Sequence, residues 1–130
     1  MLPGTNKSSD RFARASFYVN AVEQSPEAAI AIPALMSVIR NVSVPYGISM
    51  PDNPYISSTR WRVIADQKNL VYYFENTLPM YMFNVHLKDI DFSQGSGERV
   101  LKLSDGKVHE GNVTHDFVNS EQPFTFLFLK

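Results

Sequence analysis

Two arginines, Arg11 and Arg14, stand three residues apart in LPGTNKSSDRFARASF, residues 2 to 17, where a helix is due to begin. At that spacing they share one helix face. Either both are solvated surface charges, or one points into a reaction centre as a permanent cation. Other side chains able to do chemistry are sparse. Ser8 and Ser9 have no His or Lys beside them to act as base, so helix capping explains them better than nucleophilic attack. The histidines, His86, His109 and His115, form no pair at i+3 or i+4 and no HExxH, which argues against zinc. His86 falls in a strand-like run and reads as a satisfied structural histidine; the other two lie in polar loop sequence and read as solvated. Asp89 and Asp91 in KDIDF offer two carboxylates for acid–base work, but a turn after a strand fits them better, as it does Asp105-Gly106. GSG at 95–97 lacks the strand–turn–helix setting of a phosphate loop. NKS, NVS and NVT, at Asn6, Asn41 and Asn112, match the glycosylation triplet, a pattern too short to carry weight. With no cysteine in the 130 residues, disulfides, thiolate catalysis and cysteine metal sites are excluded within this sequence. No cofactor and no metal are expected.

Composition narrows the class. Hydrophobic residues at 44% against 19% charged place the chain among globular proteins rather than disordered ones. The low charge suggests a surface partly covered by more protein. A net charge of −1 without any basic run argues against nucleic acid. No apolar run approaches the roughly 20 residues that span a bilayer, so no membrane partner is expected. MLPGTNKSSD lacks the basic start and apolar stretch of a signal peptide. The compartment is not legible.

The elements that must hold these residues follow from periodicity. LPGT is a turn. A helix is expected from about Ser9 to Val22, capped by Ser8, Ser9 or Asp10, with Phe12, Ala15, Val19 and Val22 as its apolar stripe. A second begins with Ser25 as cap and Pro26 in the first position. Pro33 predicts a kink or restart before ALMSVIRNV, and the segment's apolar character predicts burial on most sides. Ser43 to Ser58 is a long proline-bearing loop, expected near the site or a subunit contact. From Thr59 the period becomes two. TRWRVIAD, LVYYFEN and MYMFNVHL read as strands joined by the turns QKN and TLP, RVLKLSD as a fourth, and QPFTFLFLK as a last strand buried in a sheet. Helices followed by an antiparallel meander predict an α+β fold in one domain, residues 1–130.

Four stretches in order, LPGTNKSSDRFARASFYVNAV, VIRNVSVPYG, STRWRVIADQKNLVYYFENT and KDIDFS, resemble the C-terminal portion of the choloylglycine hydrolase family, which contains bile salt hydrolases and penicillin V acylases. The most specific is the Leu-Pro-Gly turn, the small polar pair and the Arg-Phe that opens a helix. The resemblance covers nearly all of this chain and somewhat under half of a family member. It implies a partial αββα sandwich of the N-terminal nucleophile hydrolases. It implies hydrolysis of linear amide C–N bonds, in conjugated bile salts or penicillin V-like substrates, by an N-terminal cysteine whose own amino group serves as base. It assigns Arg11 electrostatic support of that sulfur, with Arg14 as a structural neighbour. The cysteine, the family's N-terminal strands, and the aspartate and asparagines of the earlier region are not in this sequence. Met1 before the turn marks a start codon or a cut in mid-family. The chain is then a fragment, one subunit beside a partner chain carrying the cysteine, or an orphan interaction module on a degenerate fold. The expectations are an inactive chain when isolated and a homo-oligomer that covers its apolar faces.

Overall fold

The computed structural model describes residues 1–52, 54 and 56–126. Two helices lead. The first, α1, runs Ser8–Ala21 and the second, α2, Ala28–Asn41. They pack on each other, and α2 lies against the first strand of a sheet. Three strands form an antiparallel meander: β1 Trp61–Asp66, β2 Val71–Asn76 and β3 Tyr81–His86. A short β4, Arg99–Val100, pairs with β6, Val118–Asn119, in a separate ribbon. The fourth strand of the main sheet is β5, Gly111–Asn112, which runs parallel to β3. The fold is α+β, as the periodicities require.

The strand register sorts the side chains. Arg62, Ile64 and Asp66 share a face with Glu75, Tyr73 and Val71, and α2 lies over this face: Ala31, Ile32 and Leu35 surround Ile64. The opposite face carries Trp61, Val63 and Ala65, then Tyr72 and Phe74, then Tyr81, Phe83 and Val85. Its β3 end is buried under Val113, Leu101, Leu103, Phe117 and Ile90, and Phe74 stacks on Phe83 with centroids 5.1 Å apart. Each of these buried side chains contributes roughly 1.5–3 kcal/mol. The β1 end of the same face has no such cover among the described residues, and Trp61 is 60% exposed.

Several expectations change. α1 starts after Lys7, and no side chain caps it; Thr5 Oγ1 accepts from Lys7 N at 3.2 Å, and the Thr5 hydroxyl binds the Asp10 carboxylate. Its predicted apolar stripe is not core: Phe12 is 74% exposed, Val19 is exposed, and no α1 residue is fully buried. The half-buried positions are Asp10, Arg11, Ala13, Arg14, Ala15 and Tyr18, so both arginines lie on the covered part of the helix. α2 starts after Glu27, with Ser25 capping only a turn ahead of it (Glu27 N to Ser25 Oγ, 3.1 Å) and Pro26 outside the helix. It passes through Pro33 as one helix, because the carbonyl that proline leaves unpaired, that of Ala29, lies on an exposed side near the helix start. Only Met36 and Val38 of α2 are fully buried. RVLKLSD does not extend the meander; only Arg99–Val100 is strand. Phe124 and Phe126 are exposed and outside any strand, and residues 127–130 of the expected last strand lie outside the described residues.

Candidate active site

Arg11 lies half-buried on the α1 face turned toward α2. Its Nε donates to the carbonyl of Val42 at 2.6 Å. Val42 is the residue that ends α2, so the guanidinium sits at the negative end of that helix dipole, where a cation is favoured. Among the described residues, the two terminal nitrogens of Arg11 have no hydrogen-bond partner. Four donors in a fixed plane therefore remain for an anionic or carbonyl group. Arg14 is different. Its Nη1 donates to the carbonyls of Pro3 (2.8 Å) and Thr5 (2.9 Å), tying the Leu-Pro-Gly turn to α1. Arg14 spends a terminal nitrogen on the turn, whereas Arg11 is anchored through Nε and keeps both terminal nitrogens unbonded among the described residues.

The end of α2 that Arg11 grips is also held by an ion cluster built on a buried carboxylate. Glu75, 5% exposed, lies on the helix-facing side of β2. It accepts from Arg62 Nη1 at 3.0 Å and from Arg40 Nε at 3.0 Å, with a further bond from Arg40 Nη2. Arg62 Nε also donates to Ser43 Oγ at 2.8 Å, and that hydroxyl donates to the Ile39 carbonyl at 2.8 Å. The Arg40 hydrogen bond is the main reason the Glu75 carboxyl is held below the ordinary glutamate range, against the opposing effect of burial. The loop expected near the site begins here: Val44 and Thr59 close its base by two hydrogen bonds of 2.9 and 3.1 Å.

The remaining candidates lie elsewhere. Ser8 and Ser9 are exposed in the first turn of α1. His86 Nδ1 is 3.9 Å from an Asp89 carboxylate oxygen. His109 is not solvated. It is 8% exposed, its Nε2 lies 3.3 Å from the Lys102 carbonyl, and its ring meets Tyr81 and Phe83 edge-on, because the loop folds back over β3. Asp91 Oδ1 accepts from Ser93 N at 2.9 Å, and Asp105 Oδ1 from Lys107 N at 3.0 Å; both are turn residues. The Ser93 hydrogen bonds hold the Asp91 carboxyl below its usual range. Among the described residues no three His, Asp or Glu side chains gather as a metal site. A cavity of about 410 Å³ opens between Tyr72, Val85, Phe92 and Phe117, on the far face and at the other end of the strands from Arg62. It is separate from Arg11.

The Arg40–Glu75–Arg62 cluster was missed by sequence reasoning. Its signal was present: a glutamate inside the apolar run VYYFEN, two arginines alternating in TRWRV, and an arginine in the last turn of α2.

Two packed helices, the second laid on one face of a mostly antiparallel sheet, with an arginine on the first whose terminal nitrogens are unbonded among the described residues, define an α+β layered protein with a candidate cationic centre. The family follows from comparison. The profile of the linear amide C–N hydrolases, choloylglycine hydrolase family, matches residues 1–101, and the chain belongs to that family. It is 40% identical to a penicillin V acylase from Pectobacterium atrosepticum over 99% of this chain and 38% of that protein. Its structure is similar to that of penicillin V acylase from Agrobacterium tumefaciens, with a TM-score of 0.88 and 45% identity over 99% of this chain and 41% of that one. The chain thus spans about two fifths of the length of the relatives it matches.

Proposed function

We propose that these residues supply the arginine side of an amide-hydrolysing centre whose nucleophile lies on polypeptide outside them. The observation that supports this reading is Arg11: half-buried, anchored by Nε alone, with its terminal nitrogens unbonded among the described residues. A guanidinium is a planar cation that presents its donors in a fixed fork. Beside a cysteine sulfur it favours thiolate over thiol. As the sulfur attacks a linear amide carbon, it offsets the negative charge that develops in the tetrahedral intermediate. The amine then leaves, and water releases the acyl group from sulfur. The family membership supports the reaction class, and the names of the relatives support penicillin V as substrate. Conjugated bile salts are the second class to assay. With no cysteine of its own, the chain by itself is inactive in this reading.

The test joins the 130 residues to a family-derived polypeptide that supplies the missing portion and begins with cysteine. Intact-complex mass reports assembly, and release of the acyl group from penicillin V and from a glycine-conjugated bile salt reports activity. Arg11→Ala is expected to lower kcat by about 10²–10³-fold, the size typical of losing one donor to a developing oxyanion, with assembly unchanged. Hydrolysis by the 130 residues alone, or full activity of Arg11→Ala in the complex, overturns the proposal.

A further inference from the structure

The single anchor of Arg11 raises the question of what holds the anchor. Val42 is the end of a helix, and helix ends fray. An arginine hung on a frayed carbonyl wanders by more than the roughly 0.5 Å that a reaction centre tolerates. Here the end of α2 is tied down at four of its last five carbonyls, those of Val38, Ile39, Arg40 and Val42. Ile39 O accepts from the Ser43 hydroxyl, Arg40 O from Ser43 N at 3.2 Å, and Val42 O from Arg11 itself. Ser43 is thus the residue that closes the turn, and it is held in turn by Arg62 from the sheet at 2.8 Å. Arg62 is 16% exposed at its side chain and is aimed by Glu75. Glu75 also grips Arg40, which belongs to the same last turn. Two routes therefore run from one buried carboxylate on β2 to the helix end that presents the Val42 carbonyl. One passes through Arg62 and Ser43, the other through Arg40.

We infer that Glu75 is a positioning residue: by fixing Arg62 and Arg40 it sets the end of α2, and through the Val42 carbonyl it sets the direction in which the Arg11 guanidinium presents its free donors. The cationic centre is then specified from the sheet, 64 positions along the sequence from Arg11 (75 − 11). A hydrophobic pair of the same volume would hold the layers together equally well. It would not aim a carbonyl. The inference rests on the proposed role of Arg11 for its meaning in catalysis, but the mechanical coupling stands apart from that role.

Arginine-resolved NMR on the 130-residue chain tests it. The probe is exchange of the Arg11 Nε–H with water; the internal control is rotation of the Arg14 guanidinium, on the same helix but bound to Pro3 and Thr5 instead. Glu75→Gln keeps the volume and removes the charge. Ser43→Ala leaves both ion pairs and cuts the route through Arg62 to the helix end, so it serves if Glu75→Gln does not fold. Either variant is expected to speed Arg11 exchange about tenfold, the change that accompanies loss of one hydrogen bond from a charged donor, and to leave Arg14 within twofold. Unchanged Arg11 exchange overturns the inference. So does parallel loosening of Arg11 and Arg14, which marks Glu75 as a general stabiliser. In the cysteine-bearing assembly, Glu75→Gln is further expected to lower kcat with KM unchanged. The two proposals fail separately: full activity of Arg11→Ala removes the catalytic reading and leaves the exchange result intact, whereas normal Arg11 exchange in both variants removes only the role of Glu75.

Discussion

Glu75 carries its charge in a place where charge is expensive, and the arginines explain why it can. Removing one member of a buried, hydrogen-bonded ion group leaves the others unpaired and costs about 3–5 kcal/mol. Arg40 is more than half exposed at its side chain and can turn to water, so Glu75→Gln is expected near the lower end, about 3 kcal/mol. The same contacts set a pH dependence. The folded carboxyl titrates below the ordinary value of 4.5, so the unfolded chain binds the proton first as pH falls. The stabilisation is complete above 4.5 and disappears as pH drops through the lowered folded value. Thermal unfolding from pH 7 down to 3 should show wild type losing stability in that acid window. Glu75→Gln, with no proton to take up at this position, should give a flatter profile. Equal slopes for the two proteins would mean that other carboxylates govern acid unfolding. Asp10 and Asp91 are also held low, chiefly by the Thr5 and Ser93 hydrogen bonds respectively, but both carboxyls are solvent-facing and should contribute less.

At the scale of elements, α2 contains a built-in defect. Pro33 is the sixth residue of a 14-residue helix, where it removes one backbone hydrogen bond. Its ring and the unpaired Ala29 carbonyl lie on the exposed side, so nothing else depends on them. Pro33→Ala should therefore restore the bond and gain up to about 3 kcal/mol in the helix, less about 0.4–1 kcal/mol for the freer unfolded chain. A net gain of about 2 kcal/mol in urea unfolding is expected; a loss would mean the proline shapes the α1–α2 contact. This residue also marks where sequence reading reaches its limit. The three meander strands were legible because period-two alternation and turn residues are local signals, and their register follows from the short turns. The path through Pro33 was not, because whether a helix survives a proline depends on which side faces water. The pairing of Gly111–Asn112 beside β3 was illegible for the same kind of reason: two residues carry no periodicity. α1 misled because Phe12, Ala15, Val19 and Val22 make an apolar stripe on paper, while in the structure Phe12 and Val19 are exposed and the two arginines are half-buried. Only the resemblance singled out Arg11, and nothing in the spacing alone linked it to Glu75.

At the scale of the molecule, one part of the main sheet lies open to water among the described residues. Trp61 and Val63 on β1, with Tyr72 beside them on β2, form an exposed apolar strip, and among the described residues β1 is an edge of the main sheet. The β3 half of the same face is covered; the β1 half is the piece of the sandwich face still open to water among the described residues. A relative 45% identical holds this same segment at a TM-score of 0.88 within a chain of which it is 41%, so the segment's shape is compatible with a larger body around it. We propose that the rest of a family-length polypeptide docks on this strip, and that without it two copies of the chain cover the strip for each other. Burying one tryptophan and its neighbours is worth several kcal/mol, of order 25 cal/mol per Å² of apolar area. The isolated chain should therefore show concentration-dependent association in sedimentation velocity. Trp61→Asp paired with Val63→Lys, both on the solvent side of β1, should move it to monomer without loss of secondary structure. The same double variant should weaken capture of the cysteine-bearing portion by at least tenfold, about 1.4 kcal/mol. A chain that stays monomeric at high concentration removes the self-association half of this argument. Capture that is indifferent to the two substitutions removes the docking half, and leaves the apolar strip as an ordinary exposed surface.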